Sequence, residues 1–515
     1  MSRTPRLLPL ALAFAAFTAA CPAATLDLLG AYDLARRNDP QLSAAENRAL
    51  AVAEGIAQSR AALLPNIAGT GSTDRTKGDG TSPQFDPQTG QLTSRSFDVD
   101  TESTSYGIQL RQSVFDWADY TRLRGARALS AQGEAQYQQA EDALYVRVAE
   151  AYFNVLTAED TLAFANAEAT ALGRQFDQAQ QRFEVGLAAI TDVNEAQSQR
   201  DAATAAVVLA ENALEDAEEA LTEIIGAPVE TIKALREELP LRPPQPAELE
   251  AWVENARKQN PQIAAQQFAV SAAEASIATA RAGHLPTLDL TANYLDNTSS
   301  GNRGGFFSTN SESTSANGTV GLQLTVPIFS GGLVSANARR AVHDRDTARD
   351  VLEQTERGVV RQTRFSYRAI AGGVSEIEAR RQAVKSATSA LEAVQAGYEV
   401  GTRTIVDLLI AQRQLFQAQR DYSQARHNYI VNGLRLKQNA GDIQRADVAE
   451  VNALLTDERK PVLIPDPTRR DADDASAVDS EVPDTSVDDR PGDDGSADAD
   501  ATEPSSEEPP RDPRE

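Results

Sequence analysis

Two stretches of alternating sequence decide the fold: TLDLTANY at residues 287–294 and VGLQLTVPI at residues 320–328. In the first, every second residue from Leu288 to Tyr294 is apolar or aromatic, and polar residues fill the positions between them. The second alternates in the same way from Val320 onward. Because successive side chains of a strand point to opposite faces, each stretch is predicted to be a β-strand with one apolar and one polar face.

The first half of the chain contains a related strand, YGIQLRQSV at residues 106–114. Polar segments rich in Gly and Ser, at residues 69–105 and 297–319, are predicted to be long exposed loops between paired strands. One apolar face, one polar face and long loops at one end are typical of a membrane β-barrel with a wet lumen. A soluble sheet packed on a core is the alternative, but the rest of the chain offers no compact apolar surface for it.

Four strands per chain are too few to close a membrane barrel, whose smallest form has about eight strands. An open sheet edge in lipid would leave backbone groups unpaired at a cost of several kcal/mol each. The sheet must therefore be completed by other chains. The strands predict an obligate oligomer but do not fix its number of subunits.

The chain repeats itself. QRFEVGLAAITDVNEAQ at residues 181–197 matches AGYEVGTRTIVDLLIAQ at residues 396–412, so that Gly186 pairs with Gly401. The strands and the helices that precede them match in the same order, which indicates a tandem duplication. The proline-rich stretch LPLRPPQP at residues 239–246 lies at the junction.

Long helices are predicted after each strand pair, because proline is absent between Pro87 and Pro228 and again between Pro327 and Pro461. These runs are rich in Ala, Gln, Glu and Arg, which favour exposed helices. Each run is expected to form two helices joined at one glycine. A helix from Asp116 to about residue 183 would be on the order of 100 Å long. An extended coiled-coil spacer without a channel is the alternative interpretation of the helices alone.

The chain begins with MSRTPRLLPLALAFAAFTAACPAA, a basic start followed by an apolar run and small residues, which predicts a signal peptide at residues 1–24. Cys21 leaves lipidation as a second possibility.

At the other end of the chain, residues 466–515 contain 18 acidic residues and five arginines. With few bulky apolar residues to bury, this acidic tail is predicted to be disordered and dispensable for export.

No catalytic motif is found in the sequence: it has no phosphate-binding glycine loop, no His-Glu-x-x-His and no nucleophile elbow. The three histidines are His284, His343 and His427, and the last two are expected at the surface. We therefore expect no enzyme activity, no cofactor and no metal site. A net charge of -26 argues against a nucleic-acid partner.

The blocks LLPNI, AYFNVL, RFEVGLAAITDV, GHLPTLDLTA, VPIFSGG and GYEVGTRTIVDLL resemble the TolC family of outer-membrane efflux proteins. The resemblance extends over residues 28–455. It implies a mixed α+β membrane protein, a homotrimer whose 12-stranded β-barrel, with four strands per protomer, is continued by a long α-helical coiled-coil tunnel. It also implies an exit duct in the cell outer membrane, with its tunnel in the periplasm, for multidrug efflux or type I secretion.

The resemblance implies partners as well: outer-membrane lipid, a periplasmic adaptor (membrane fusion) protein, and an inner-membrane transporter of the RND, ABC or MFS class. It places the adaptor-docking surface at two tip turns, which comprise Val185, Gly186, Leu187, Val400, Gly401 and Thr402. A non-channel periplasmic coiled coil, such as an adaptor, is the rival hypothesis. The duplicated strand pairs argue against it.

The resemblance further implies an acidic ring at the tunnel entrance, formed by Asp407 of each protomer. It also implies a latch in which Arg403 and Tyr398 bind Thr191 and Asp192 of the neighbouring helix pair or protomer. A guanidinium group and a phenol suit a carboxylate and a hydroxyl as partners. The alternative for Arg403 is an exposed ion pair of little energetic weight.

The expected domain organisation follows from the repeats and the resemblance together. It comprises a signal peptide (1–24), a first repeat (25–238) with strands at about 66–115, a linker (239–246), a second repeat (247–440) with strands at about 286–329, an equatorial segment (441–465) and the acidic tail (466–515).

Overall fold

The computed structural model describes residues 25–229, 231–302 and 310–457. These residues all belong to one compact unit. The predicted signal peptide and acidic tail lie outside the described residues.

The helices are α1 Leu28–Asn38, α2 Pro40–Ala61, α3 Trp117–Glu184, α4 Ile190–Ile225, α5 Leu249–Gln259, α6 Pro261–Ala282, α7 Leu333–Glu399, α8 Ile405–Ala440 and α9 Arg445–Asn452. The strands are β1 Asn66–Phe85, β2 Leu92–Phe115, β3 Ala234–Leu235, β4 Thr287–Asn302, β5 Asn310–Thr325 and β6 Leu455–Thr456.

The two longest helices, α3 and α7, contain 68 and 67 residues. At about 1.5 Å per residue each extends for on the order of 100 Å. Each is followed by a helix of 36 residues, α4 or α8, that returns antiparallel to it and ends at a left-handed glycine, Gly226 or Gly441. The order of elements is thus the same in both halves: two shorter helices, two strands, a long helix and a returning helix.

The four long strands form one antiparallel sheet in the order β1-β2-β4-β5. The prediction of long loops at residues 69–105 and 297–319 is wrong, because the strands continue into these polar segments. β1 pairs with β2 without interruption up to Phe85 and Leu92, and only residues 86–91 form the turn.

Cross-strand polar contacts explain how such a polar sequence remains extended. The hydroxyl oxygens of Ser72 and Ser105 lie 2.9 Å apart, and the Arg75 guanidinium donates to the Asp100 carboxylate at 3.0 Å. Each pair joins β1 to β2, and the continuous ladder satisfies the backbone groups. A polar composition alone therefore did not distinguish a loop from a strand.

The predicted strand at residues 320–328 also ends earlier than expected, at Thr325. Pro327 has no backbone N–H and cannot donate to the ladder, so pairing stops before it. Ile328 and Phe329 consequently lie beyond the sheet and are almost fully exposed, at 95% and 89%.

The register places the apolar residues of neighbouring strands opposite one another, as the alternation predicted. Leu288 pairs with Leu324, Leu290 with Leu322, and Ala292 with Val320. Because directly paired residues share a face, these side chains form one apolar band across β4 and β5. Leu322 and Leu324 are 67% and 64% exposed, so this band is not covered by the chain itself.

The main hydrophobic core lies where α1, α3, α4, α8 and α9 meet the small β3-β6 sheet. Tyr152 of α3 is fully buried there, and its hydroxyl donates to the carbonyl oxygens of Leu26 at 3.1 Å and Lys233 at 2.8 Å. Tyr32 stacks on Tyr145 with ring centroids 4.5 Å apart. This core fixes the long helices near the junction of the two halves.

Across the described parts of the chain, no helix combines the length and the apolar character needed to cross a membrane.

The apolar band provides a test of which sheet face meets lipid. Replacing Leu322 or Leu324 by Arg should destabilise the folded protein by about 2–4 kcal/mol per site near the bilayer midplane, because a charge would enter hydrocarbon. The matched control is Gln323→Arg on the opposite face, which should be tolerated. The measurement is the free energy of unfolding in lipid vesicles. Equal losses for Leu322→Arg and Gln323→Arg would contradict the assignment of the faces.

Candidate functional site

The α3–α4 and α7–α8 turns have the same backbone geometry. Gly186 and Gly401 have φ angles of +76° and +81°, in the left-handed region that favours glycine. In the first turn the Leu187 N–H donates to the Arg182 carbonyl at 2.7 Å, and in the second the Thr402 N–H donates to the Gly397 carbonyl at 2.8 Å. This pattern is a Schellman motif, which ends a helix sharply and reverses the chain.

Both tips present apolar side chains to solvent. Val185 and Leu187 are 70% and 73% exposed in the first turn, and Val400 is 75% exposed in the second. The Thr402 hydroxyl donates to the Gly397 carbonyl at 3.0 Å, so that side chain is used within its own turn. The two turns therefore form exposed, rigid and partly apolar surfaces, which suit contact with another protein.

The two tips differ where the returning helix begins. At α8 the Thr404 hydroxyl accepts from the Asp407 N–H at 3.2 Å, and one Asp407 carboxylate oxygen accepts from the Thr404 N–H at 3.0 Å and the Thr404 hydroxyl at 2.9 Å. This is a capping box. These bonds from Thr404 hold the pKa of the Asp407 carboxyl below its usual value, with a smaller effect of the Arg403 charge. Asp407 therefore stays ionised at neutral pH.

At α4 the residue equivalent to Thr404 is Ala189, which makes no side-chain cap. The Asp192 carboxylate, in the first turn of α4, accepts no side-chain or backbone hydrogen bond within the described part of the chain. The helix dipole favours a negative charge at this position. The Asp192 carboxylate thus has unused acceptors, whereas the Asp407 carboxylate is engaged by its own helix.

The structure places Tyr398 between the two helix pairs. The Arg182 guanidinium of α3 lies over the Tyr398 ring, 4.9 Å from its centroid. Tyr398 also packs on an apolar group that joins α3, α4 and α8 near the tips. We call this group the tip cluster, and its buried residues are Leu172, Ala179, Val193, Ala196, Ala203, Ile405 and Leu409.

Arg403 does not meet its expected partners within one chain. Its side chain runs along Gly397, where an added Cβ would lie only 2.7 Å from the Arg403 Cγ. Among the described residues, no ion pair or hydrogen bond joins its guanidinium to Thr191 or Asp192. The latch involving these residues stays a prediction, and its expected partner protomer lies beyond a single chain.

A buried polar group between α3 and α8 was not anticipated from the sequence. His427 was expected at the surface, and that expectation is wrong, since only 4% of it is exposed. The Thr157 hydroxyl lies 2.8 Å from its Nδ1, the Asp160 carboxylate lies 4.0 Å from its Nε2, and the Ser423 hydroxyl donates to Asp160. We call Thr157, Asp160, Ser423 and His427 the polar seam.

Burial determines the protonation of the polar seam. Desolvation lowers the pKa of His427 to about 3, with a further effect of the nearby Arg426 charge. Desolvation also raises the pKa of the Asp160 carboxyl, against the Ser423 hydrogen bond and the Arg426 charge. One turn nearer the tips, Arg420 donates to Glu168 at 3.0 Å across the same helices. The spacing of Ser423, Arg426 and His427 along one face of α8 was the available signal.

The described ranges contain no group of three or more His, Cys, Asp or Glu residues able to hold a metal ion. The polar seam brings a hydroxyl, an imidazole and a carboxylate together, but the imidazole at its centre is only 4% exposed. The exposed apolar tip turns suit docking, and the ionised Asp407 suits attraction of cations.

Solved structures with this fold are outer-membrane proteins and channels. VceC of Vibrio cholerae superposes with a TM-score of 0.64 at 18% identity, covering 80% of this chain and 96% of that one. The CmeC outer membrane channel of Campylobacter jejuni gives a TM-score of 0.63 at 17% identity, with 83% and 90% covered. At these identities the likeness concerns the fold alone.

Sequence similarity then gives the family. The chain matches the outer membrane efflux protein family over residues 31–227 and 252–442, and it belongs to that family. It is 36% identical over 454 residues to the outer membrane protein TolC of Vibrio cholerae, covering 87% of this chain and 98% of that protein. It is 32% identical over 436 residues to the alkaline protease secretion protein AprF of Pseudomonas aeruginosa, covering 83% and 87%.

Family membership decides between the sequence-based hypotheses. The predicted resemblance and the outer-membrane location are confirmed, and the non-channel periplasmic coiled coil is wrong. The family and fold are those of outer-membrane channels rather than enzymes. The mixed class, mostly helical with one large sheet, is confirmed as well.

The polar seam predicts how stability depends on pH. An unfolded chain protonates His427 below about pH 6.5 and the folded chain only near 3, so acidification lowers stability by about 1.4 kcal/mol per pH unit in this window. Asp160, with its raised pKa, has the opposite sign. Asp142, whose pKa burial raises to about 6, also has the opposite sign. The stability of Asp160→Asn should therefore fall more steeply with acidification, by about 1.4 kcal/mol per pH unit, than that of Asp160→Asn with His427→Gln. Equal slopes for both variants between pH 6.5 and 4 would contradict the buried neutral histidine.

Proposed function

We propose that the chain is one protomer of a homotrimeric exit duct, in which three copies complete a 12-stranded barrel. The observation that carries this proposal is that both edges of the sheet are unpaired. β1 and β5 are its edge strands, and neither has a second partner in the described part of the chain. In lipid each unpaired backbone group costs several kcal/mol, so β1 of one copy pairing with β5 of the next removes this cost.

The helices below the sheet support the same arrangement. In their lower part α4 packs on α3, α3 on α8, and α8 on α7, so that α4 and α7 are the outer helices of the layer. Each copy thus has two unlike edges, one with β1 and α4 and one with β5 and α7. Contacts between unlike edges are head-to-tail and form a closed ring when the rotation permits. The proposed number of three subunits in the ring rests on the resemblance to the TolC family.

The domain organisation is proposed on the same basis. The equal order of elements in the two halves supports a tandem duplication with repeats at 25–238 and 247–440, joined by the linker at 239–246. Residues 441–457 would belong to an equatorial belt that includes α9 and the β3-β6 sheet, and the rest of the predicted equatorial segment, 458–465, lies outside the described residues. The first described residues contact the last described residues within this belt, as in the 2.8 Å bond from the Thr25 hydroxyl to the Asp457 carboxylate.

The transported material would pass from an inner-membrane transporter through the tunnel and across the outer membrane. Relatives support both efflux and protein secretion: the family is named for efflux, and AprF and PrtF are named for secretion of proteases. A duct without a nucleotide site must take its energy from that transporter. The exposed apolar tip turns are the proposed docking surface for the periplasmic adaptor.

The tip residues would control passage. Asp407, ionised and exposed, would line the entrance as a ring that favours cations. Arg403, with no ion pair in its own described chain, would reach Asp192 and Thr191 of the next protomer, where Asp192 has unused acceptors. The Tyr398 ring contacts Arg182 of the first helix pair, and its hydroxyl would donate to Thr191 or Asp192 in the same latch. Together these contacts would hold the resting tip closed.

The proposal is tested by conductance in planar lipid bilayers. The parent protein should form small, cation-selective pores. Arg403→Ser with Tyr398→Phe should raise the conductance, because three latches of about 1 kcal/mol each shift an open–closed equilibrium by about a hundredfold or more. Arg381→Ser is the control, since its ion pair with Glu378 lies on an exposed face away from the tips.

A parent protein that never forms pores would contradict the proposed function. A double variant that conducts no better than Arg381→Ser would contradict only the latch.

A further inference from the structure

The free edge of α7 carries positive charge in a strongly acidic protein. Arg361, Phe365 and Arg368 lie at spacings of four and three residues and share one exposed face. Phe365 is 60% exposed. Within the described residues, neither Arg361 nor Arg368 forms an ion pair, whereas Arg364 beside them donates to Glu250 of α5 at 3.0 Å. We call Arg361, Phe365 and Arg368 the basic edge.

The buried residues of α7 confirm that the basic edge points away from the rest of the layer. Val359, Thr363, Ser366 and Ile370 are buried and lie on the opposite side of the helix. An exposed phenylalanine between two unpaired arginines is a composition enriched at protein interfaces.

The free edge of α4 has the opposite charge. Asp216, Glu219 and Glu223 are exposed, lie at spacings of three and four residues, and face away from the buried Leu221 and Ile225. None of the three forms an ion pair among the described residues, and α4 has no basic residue in its last turn. Acidic charge near a helix C-terminus is unfavourable unless cations neutralise it. We call these three residues the acidic edge.

The two edges lie at the same level along the helix layer. α4 and α8 both begin just after a tip turn, contain 36 residues and end at a left-handed glycine, so their C-terminal ends lie at equal heights above the tips. The end of α8 is located on α7 by the 2.9 Å bond from Asn439 to Ser366. The last two turns of α4, with Glu219 and Glu223, therefore lie level with Phe365 and Arg368.

We propose that the basic edge of α7 docks on the acidic edge of α4 in a second copy of this chain. This inference rests on the proposed ring, which brings α7 of one copy beside α4 of the next. Arg368 would bind Glu219 and Glu223, Arg361 would bind Glu223, and Phe365 would be covered between them. The charges are complementary, the spacings match, and neither set forms an ion pair among the described residues of its own chain. A second copy would complete both sites.

Disulfide crosslinking tests the register directly. In a Cys21→Ala background, which has no other cysteine, Glu219→Cys with Arg368→Cys should give covalent dimers and trimers on oxidation. A disulfide requires Cα atoms about 4–7 Å apart. The control pair is Glu219→Cys with Arg339→Cys, which keeps both helices but places the cysteines about 29 residues, or roughly 40 Å, out of register.

Charge exchange provides a second measurement that does not depend on cysteine placement. Arg368→Glu should lower the fraction of oligomer that survives heating in detergent at least several-fold, and Arg368→Glu with Glu219→Arg should restore it. A repulsive pair in place of an attractive one is expected to act in this way.

The outcomes separate this inference from the proposed function. If the parent forms conducting trimers but the cysteine pair crosslinks no more than its control, or crosslinks within one chain, the docking of these edges is wrong and the duct remains. A charge exchange that restores nothing would also contradict the docking. If the parent neither oligomerises nor conducts, both proposals fail.

Discussion

The structure depends on the backbone edges of a sheet that one chain leaves open. β1 and β5 each expose a row of N–H and C=O groups, and a bilayer offers no water to satisfy them. The cost of several kcal/mol per group exceeds what any single side-chain contact could contribute. In the proposed ring, pairing of these edges between copies is a condition of membrane insertion. The helix layer has the same two unlike edges, so the proposed subunit contacts would continue from the membrane region into the periplasm.

Stability is unevenly distributed along the long helices. Near the junction of the halves, a core with large side chains such as Tyr32, Tyr152 and Phe153 fixes α3, α4 and α8. Near the tips, the tip cluster and the contact of Arg182 with Tyr398 join the helix pairs, and three of the seven buried residues of the tip cluster are alanines. Little apolar area is buried there, so separation of the pairs costs least at the tips. Opening at this end is consistent with an anchored upper part.

The sequence predicted the features that residue periodicity and the positions of proline and glycine determine, namely strands, long helices and turns. Alternation from Leu288 to Tyr294 identified a strand and its faces, and the glycines at 186 and 401 identified the turns. The prediction of a loop at residues 69–105 failed, because pairing between neighbouring strands overrides a polar composition. The prediction of a surface position for His427 also failed, because burial between α3 and α8 depends on which helices meet. The capping box joins Thr404 and Asp407, which are only three residues apart in the sequence. The polar seam joins α3 to α8, which are far apart in the sequence, so it depends on tertiary contacts.

The most direct test is amide hydrogen exchange of the protein in lipid nanodiscs, read at the edge strands where water is available. Residues 72–75 of β1 and 312–315 of β5 lie in the polar part of the sheet, beyond the apolar band. If copies complete the sheet, their amides should exchange within about tenfold of the rates of their partners in β2 and β4. Rapid exchange confined to β1 and β5, with β2 and β4 protected, would contradict the pairing of β1 with β5 between copies.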